Sequence, residues 1–422
     1  MGGTRLVRSA ARVRQRRLTI LGALITLFVV VAAGCGSSGK SSKSSSSGGS
    51  DSSASTVKQP TGKPIKVLAL YGELTRDDNN AGIQAAVKAI NANGGIKGRP
   101  VVVTTCSDNN DANTAAKCAR DAADDPDVVA VVDHSTSFGA TTLPVLEKAG
   151  LAALGTQVFG VADAKSPAVF ASSSGIFNSI GAAKVAVQLL DAKRIGVPYV
   201  DVPAGAQLAP FINIIVKPLG AEAVGVIPVP PTAADVTSQI ANEIAAKPDV
   251  IIDGLTVEAF TKFIQGTRQQ GSDVPFLVSG GVFDASQVKD RLNGANNNIY
   301  IVGEYNHQSA GFKDFKADMD KYNKSYGNRN DSVLSGWIAI KQLEYAANKA
   351  TTIDRKGIMD AMNATTDFDL GGLTEPIDYS KPQTGLGGAL PRVINDAVYL
   401  YKYEDGKEVP VKGSPPNHLF SK

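Results

Sequence analysis

The stretch AGIQAAVKAINANGGIKGRPVVVTTCSDNNDANTAAKCARDAADDPDVVAVVD occupies residues 81–133 and decides the fold. Ile83, Ala86, Val87 and Ile90 fall at i, i+3, i+4 and i+7, on one face of a helix. Gly94 and Gly95 stop that helix, because glycine accepts the left-handed backbone a C-terminal cap requires. Gly98 and Pro100 punctuate a turn, and the β-branched run 101–105 suits a buried strand. An alanine-rich helix over 113–123 and an apolar strand over 128–132 follow. Strand and helix alternating through short connections is the pattern of a parallel sheet covered by helices.

The alternation continues outward. Strands are expected at 65–70, 151–154, 194–197, 224–229, 250–253, 275–279 and 299–302. Helices are expected at 141–149, 177–190, 207–216, 234–246, 257–270, 312–326, 333–350 and 355–363. Beyond these Gly, Pro and Tyr rise, and 393–403 alternates like an antiparallel strand. A chain of 422 residues has room for two domains of ordinary size. The formal charge of +3 belongs to the N-terminus: six Arg fall within 1–34, and without them 37 basic residues face 40 acids, a balance of −3. A body this weakly charged argues against a nucleic-acid partner.

Arg5, Arg8, Arg12, Arg14, Arg16 and Arg17 precede an apolar run over 18–31, followed by Ala32, Ala33, Gly34 and Cys35. That order of basic, apolar and small residues is an export signal. A single spanning anchor is the alternative, but the run is shorter than the roughly 20 residues a spanning helix needs. Residues 36–61 are dominated by Ser, Gly and Lys, too polar to offset the entropy of ordering, and read as a flexible tether. Cys106 and Cys118 are the only thiols besides Cys35. In an oxidising compartment they are expected to pair, which would contribute roughly 2–3 kcal/mol. Two buried free thiols are the alternative. No Cys or His cluster supports a metal site. With three His, and no G-x-S-x-G, HExxH or glycine-rich phosphate loop, no catalytic residue or nucleotide cofactor is indicated.

Residues 82–100, GIQAAVKAINANGGIKGRP, resemble the type I periplasmic binding proteins of the leucine/isoleucine/valine-binding group, in which a helix ending in INxxGGIxGR precedes a hydrophobic strand. VVAVV at 128–132, the Ser/Thr loop after it and VLEKAGLAAL at 145–154 look like the same family. VAAGC at 31–35 resembles a bacterial lipobox. The resemblance implies an α/β fold of two Rossmann-like lobes with parallel sheets, joined by a three-crossing hinge. Residues 64–173 plus about 305–365 would form lobe 1, and about 174–304 plus 366–412 lobe 2. A signal peptide at 1–34 and a tether at 35–63 would precede them, and a tail at 413–422 would follow. The resemblance also implies lipid on Cys35 and a place on the outer face of the cytoplasmic membrane. The implied role is a monomeric, non-enzymatic substrate-binding lipoprotein without cofactor, delivering a small-molecule ligand to an ABC permease with ATPase subunits. A sensing lipoprotein of the same fold, signalling to a membrane partner, is the alternative.

Ligands of open α/β sheets bind beyond the carboxyl ends of the strands. On that rule and the resemblance, the expected contacts are Glu73, Thr136, Ser137, Gln157 and Phe159 from lobe 1. Lobe 2 would supply Tyr199, Asp201, Thr256, Gly280 and Phe283. In the family the loop matched by Thr136 and Ser137 takes a ligand carboxylate, and an acid holds the ammonium. The place of that acid falls at Gly280, and the aromatic lid residue is missing near 203–204. An unpaired buried ammonium is costly, so leucine is not expected as the ligand.

Overall fold

The computed structural model describes residues 59–72, 76–201, 205–230, 233–413 and 417–420. The signal sequence, Cys35 and all of the tether before residue 59 lie outside them. Lobe 1 opens with β1 (Ile65–Tyr71), α1 (Arg76–Ala92), β2 (Val101–Ser107), α2 (Ala112–Asp124), β3 (Val128–Ser135), α3 (Gly139–Lys148), β4 (Ala152–Leu154), α4 (Val161–Lys165) and β5 (Val169–Phe170). Its strands lie in the order β2-β1-β3-β4-β5, all parallel. Lobe 2 takes α5 (Asn178–Leu190), β6 (Arg194–Val200), α6 (Leu208–Val216), β7 (Glu222–Val229), α7 (Thr237–Ala245), β8 (Val250–Ile252), α8 (Val257–Gln269), β9 (Phe276–Ser279), α9 (Ala285–Leu292) and β10 (Ile299–Gly303). The chain returns to cover the first sheet with α10 (Ala310–Tyr322), α11 (Asp331–Lys349) and α12 (Arg355–Asn363). It finishes with α13 (Gly385–Gly388), β11 (Ala397–Glu404), β12 (Lys407–Pro410) and β13 (Asn417–His418). The second sheet runs β12-β11-β10-β9-β8-β6-β7, parallel from β7 to β10 and antiparallel at β11 and β12. β3 is buried at every residue, as a parallel strand covered on both faces must be.

The GGIKGR turn has a local geometric cause. Gly94, Gly95, Lys97 and Gly98 all carry positive φ. A Cβ on Gly95 would lie 2.3 Å from the Arg99 carbonyl oxygen, so only glycine closes the turn. Ile96 and Arg99 exchange both backbone hydrogen bonds, at 2.9 and 3.0 Å. Asn91 then fastens the end of α1 to β2: its Nδ2 donates to the Val101 carbonyl, and its Oδ1 accepts from the Val101 N–H.

Two more glycines join distant parts of lobe 1. A Cβ on Gly82 of α1 would stand 2.8 Å from the Trp337 nitrogen of α11 and would overlap the Val333 carbonyl. A Cβ on Gly336 of α11 would lie 2.1 Å from the Asn79 carbonyl of α1. The two helices therefore touch backbone to backbone. The disulfide Cys106–Cys118 clips β2 to α2 across a separation of 12 residues.

Three connections cross between the lobes and are tied together. Ser172, from the first, shares a 2.9 Å hydrogen bond with the Tyr305 hydroxyl of the second. Asn395 of the third donates to the Ser172 carbonyl at 2.7 Å, and the Tyr379 hydroxyl donates to the Ala171 carbonyl at 2.9 Å. The third crossing comes later than residue 366. Phe368, Leu373, Ile377 and Tyr379 pack in the core of the first sheet, because the Phe368–Ile377 bridge folds that segment back onto α11 and β5. The end of the chain also differs from a tail: β13 pairs with β11, Leu419 is buried, and Lys184 donates to the His418 carbonyl.

His307, in the second crossing, is buried between Phe312 and Tyr401, with ring centroids 4.5 and 4.9 Å away. Its Nε2 meets Asp331 Oδ1 at 2.6 Å, and its Nδ1 meets Glu408 Oε2 at 2.5 Å. Burial alone would lower its pKa. The carboxylates of Asp331 and Glu408 outweigh that and hold it up at about 10.

Two outcomes are expected. Gly336→Ala should lower unfolding stability by about 1–3 kcal/mol in urea titration, because the α1 backbone has to move; an unchanged midpoint would refute the close contact. His307→Leu should cost about 3–5 kcal/mol at pH 7 by leaving two buried carboxylates unpaired. In the parent protein the imidazolium contribution is complete below the ordinary value of 6.5 and is lost as pH rises through about 10. Denaturation midpoints of both proteins from pH 6 to 10.5 check this; parallel curves would rule out a charged His307.

Candidate functional site

A cleft of about 260 Å³ opens between the lobes. Lobe 1 contributes Gln157 and Phe159 from the loop after β4, and Asp331, Ser332 and Ser335 from the first turns of α11. The first crossing gives Ser173, Gly175 and Ile176, and the start of α5 gives Asn178 and Ser179. Lobe 2 brings Asp253, Leu255, Thr256 and Val257 from the β8–α8 junction. Ser279 ends β9, Gly281 and Val282 follow it, and Glu304 follows β10. These positions are the carboxyl ends of parallel strands and the helix starts beyond them.

Each wall has a local reason for its position. Asn330 caps α11 by accepting from the Val333 N–H, so Asp331 and Ser332 enter the helix at the cleft. Ser332 reaches across to donate to the Gly281 carbonyl of lobe 2 at 2.6 Å. Thr256 caps α8 through the Ala259 N–H. Asp331 Oδ2 accepts the Glu304 N–H at 2.8 Å, and its Oδ1 meets His307.

The acids here occupy unusual surroundings. Asp253 and Glu304 meet solvent only in part. Burial pushes Asp253 up to about 7 against the pull of the Leu255 and Ser279 N–H groups. Burial pushes Glu304 up to about 8; the Ser173 hydroxyl opposes this, Asp331 adds to it, and the Gly175 N–H opposes it. Asn178 is only 5% exposed and donates its Nδ2 to the Val302 carbonyl, while its Oδ1 has no partner among the described residues.

Of the residues expected at the site, Gln157, Phe159 and Thr256 line this cleft. Gly280 sits between two lining residues, and its N–H is committed to the Val302 carbonyl. A Cβ there would lie 2.8 Å from Asp331 Oδ2. The Asp331 carboxylate of α11 thus lies beside the position where the family acid is missing, with both of its oxygens engaged by His307 and the Glu304 N–H. Thr136 is fully buried and donates to Asp108 Oδ2 at 2.5 Å, away from the lining. Ser137 and Asp201 are exposed, and Tyr199 lies against Gly205; none of the three lines the cleft. Phe283 is fully buried in the lobe 2 core, where a phenyl ring removed from water contributes most. Glu73 and Cys35 lie outside the described residues. Sequence reasoning missed Glu304, Asn178 and the start of α11. Asn330-Asp331-Ser332 before an apolar run is a helix-start signal that would have found the last.

Among the described residues no His, Cys, Asp or Glu group is arranged to hold a metal ion. No curated protein sequence matches the chain. Solved structures of similar fold include a substrate-binding periplasmic protein from Ralstonia solanacearum, 18% identical with a TM-score of 0.68, covering 80% of this chain and 97% of that one. The fatty acid ABC transporter substrate-binding protein from Thermomonospora curvata is 18% identical with a TM-score of 0.69, covering 86% and 96%. The substrate-binding protein LivJ from Streptococcus pneumoniae, in complex with isoleucine, is 20% identical with a TM-score of 0.65, covering 82% and 98%. The family model for periplasmic binding proteins matches residues 71–406. With two mostly parallel sheets, three crossings and a cleft between the lobes, the chain belongs to the periplasmic binding protein family, a family of binding proteins and not of enzymes.

Proposed function

We propose that this chain is the substrate-binding lipoprotein of an ABC importer, which captures a small polar organic solute by closing two lobes around it. The observation that carries the proposal is a cleft whose walls come from both lobes and from the crossings, in a member of a binding-protein family. A solute in that cleft touches Gln157, Phe159, Asp331 and Ser332 on one side and Asp253, Thr256 and Val282 on the other. It makes both sets of contacts only when the lobes are together. It therefore favours the closed state by its differential affinity. The closed form then presents one joined surface of both lobes to a permease, whose ATPase subunits supply the work.

The N-terminus supports the location. The basic and apolar segments before Cys35 read as an export signal, and the 36–61 stretch as a tether to a lipid on Cys35. The Cys106–Cys118 disulfide suits an oxidising compartment. Glu73 follows β1, where open sheets place ligand contacts, and joins the proposed set on that ground.

Two measurements check the reading. Solute retained through purification, released by denaturation and identified by mass spectrometry, should reduce the radius of gyration in small-angle scattering when added back. A bound solute with no compaction would refute capture by closure. Cys35→Ala should abolish incorporation of labelled fatty acid and move the protein from the membrane fraction to the medium; retention of label would place the lipid elsewhere.

A further inference from the structure

The charge of the cleft is one-sided. Asp253, Glu304 and Asp331 line it, and no Lys, Arg or His does among the described residues. The sequence holds no Lys or Arg at 73–75, 202–204 or 231–232 either. Asp331 is already engaged, with one oxygen on His307 and the other on the Glu304 N–H, and Glu408 holds the far side of that imidazole. Asp253 and Glu304 have no ion-pair partner among the described residues, only neutral donors.

A second observation is independent of the acids. Asn178 is 5% exposed in the cleft wall, and its side-chain Oδ1 has no hydrogen-bond partner among the described residues. Its orientation is fixed, because turning the amide over would set its oxygen against the Val302 carbonyl. A buried acceptor of this kind calls for an N–H or O–H donor from whatever fills the cleft. Three helix starts also face the cleft, and such N-termini would ordinarily favour an anion. Here the chain itself answers them: Asp331 is the first residue of α11, Thr256 caps α8, and Glu304 accepts from Gly175 in the turn leading to α5. What is left for a ligand carboxylate is neutral donors such as the Ser173, Ser179 and Ser335 hydroxyls with no cation among the described lining residues, while Phe159, Ile176, Leu255, Val257 and Val282 offer an apolar bed.

We infer that the solute captured here is a small organic cation without a carboxylate, an amine or guanidine on a hydrocarbon body, whose charged head is met by Asp253, Glu304 and the Asn178 carbonyl. The inference rests on the solute-capture reading above and narrows its ligand. It sets this cleft against both a free fatty acid and a zwitterionic amino acid. Burial pushes Asp253 up to about 7 and Glu304 up to about 8, so each is partly protonated near neutral pH. A cation displaces those protons, so affinity should rise as pH increases from 6 to 9. Other charged groups close to the site are Asp331, His307 and Glu408, which remain paired with one another.

The test compares molecules that differ only by a carboxylate: 3-methylbutylamine with leucine, and agmatine with arginine, with octanoate as the anionic probe. Isothermal titration of the full chain should show each amine binding at least about tenfold tighter than its amino acid. Proton release should be visible as a dependence of heat on buffer ionisation. Asp253→Asn and Glu304→Gln should each weaken the amines by about tenfold or more while leaving the unfolding midpoint within the range of surface substitutions. Equal or tighter binding of leucine, arginine or octanoate overturns the inference. If none of the five binds, the solute released from the purified protein decides: a carboxylate or a neutral molecule overturns it, and a carboxylate-free cation supports it. Those results leave solute capture standing, whereas solute binding without compaction counts against capture itself.

Discussion

The backbone contact between α1 and α11 is the constraint on which the rest depends. Gly82 and Gly336 let two helices separated by about 250 residues of chain approach until side chains would collide with carbonyls. Side chains larger than hydrogen would force α11 outward and take its first turn with it. That turn carries Asp331, Ser332 and Ser335 into the cleft, and Asp331 in turn holds His307. A packing detail in the covering layer of lobe 1 therefore sets the position of the charged wall and of one crossing.

The cleft departs from the usual rule that buried carboxylates come with a cation. The His307 imidazolium lies behind the lining and is shared by Asp331 and Glu408, so it anchors α11 and β12 to the crossing without pairing with Asp253 or Glu304. Burial pushes both acids toward their protonated forms, which lowers the cost of leaving them without a cation. In the proposed capture of an organic cation, recognition and proton loss would share these atoms.

The fold was legible because its signals are local. The Ile83 to Ile90 face, the positive-φ glycines of GGIKGR and the β-branched run of β2 each follow from the backbone of a few residues. Part of the cleft lining was legible in the loops after β4 and β8, at Gln157, Phe159 and Thr256, whereas Glu304, next after β10, carried no sequence signal. Phe283 was misplaced because a phenyl ring four residues past a strand can equally fill a core. Asp331 was not legible as a cleft residue, since it reaches the cleft on another element, through the α1–α11 contact. The late third crossing had the same cause: whether Phe368 and Tyr379 stay with the first sheet is decided by their packing partners and not by their own pattern.

The order of the chain has a consequence for assembly. Lobe 1 has its strands at 65–170, yet its covering layer needs residues as far along as Tyr379. Lobe 2 between them is a nearly continuous run from Asn178 to Gly303. When the chain is delivered N-terminus first, the parallel strands of lobe 1 wait with one face covered only by α1 until the whole of lobe 2 has emerged. The Cys106–Cys118 link needs only a short local loop and spans two elements already present at that stage. It can hold β2 and α2 in register through the wait, so its largest effect belongs to the half-made protein, where an open sheet edge is most exposed to wrong partners.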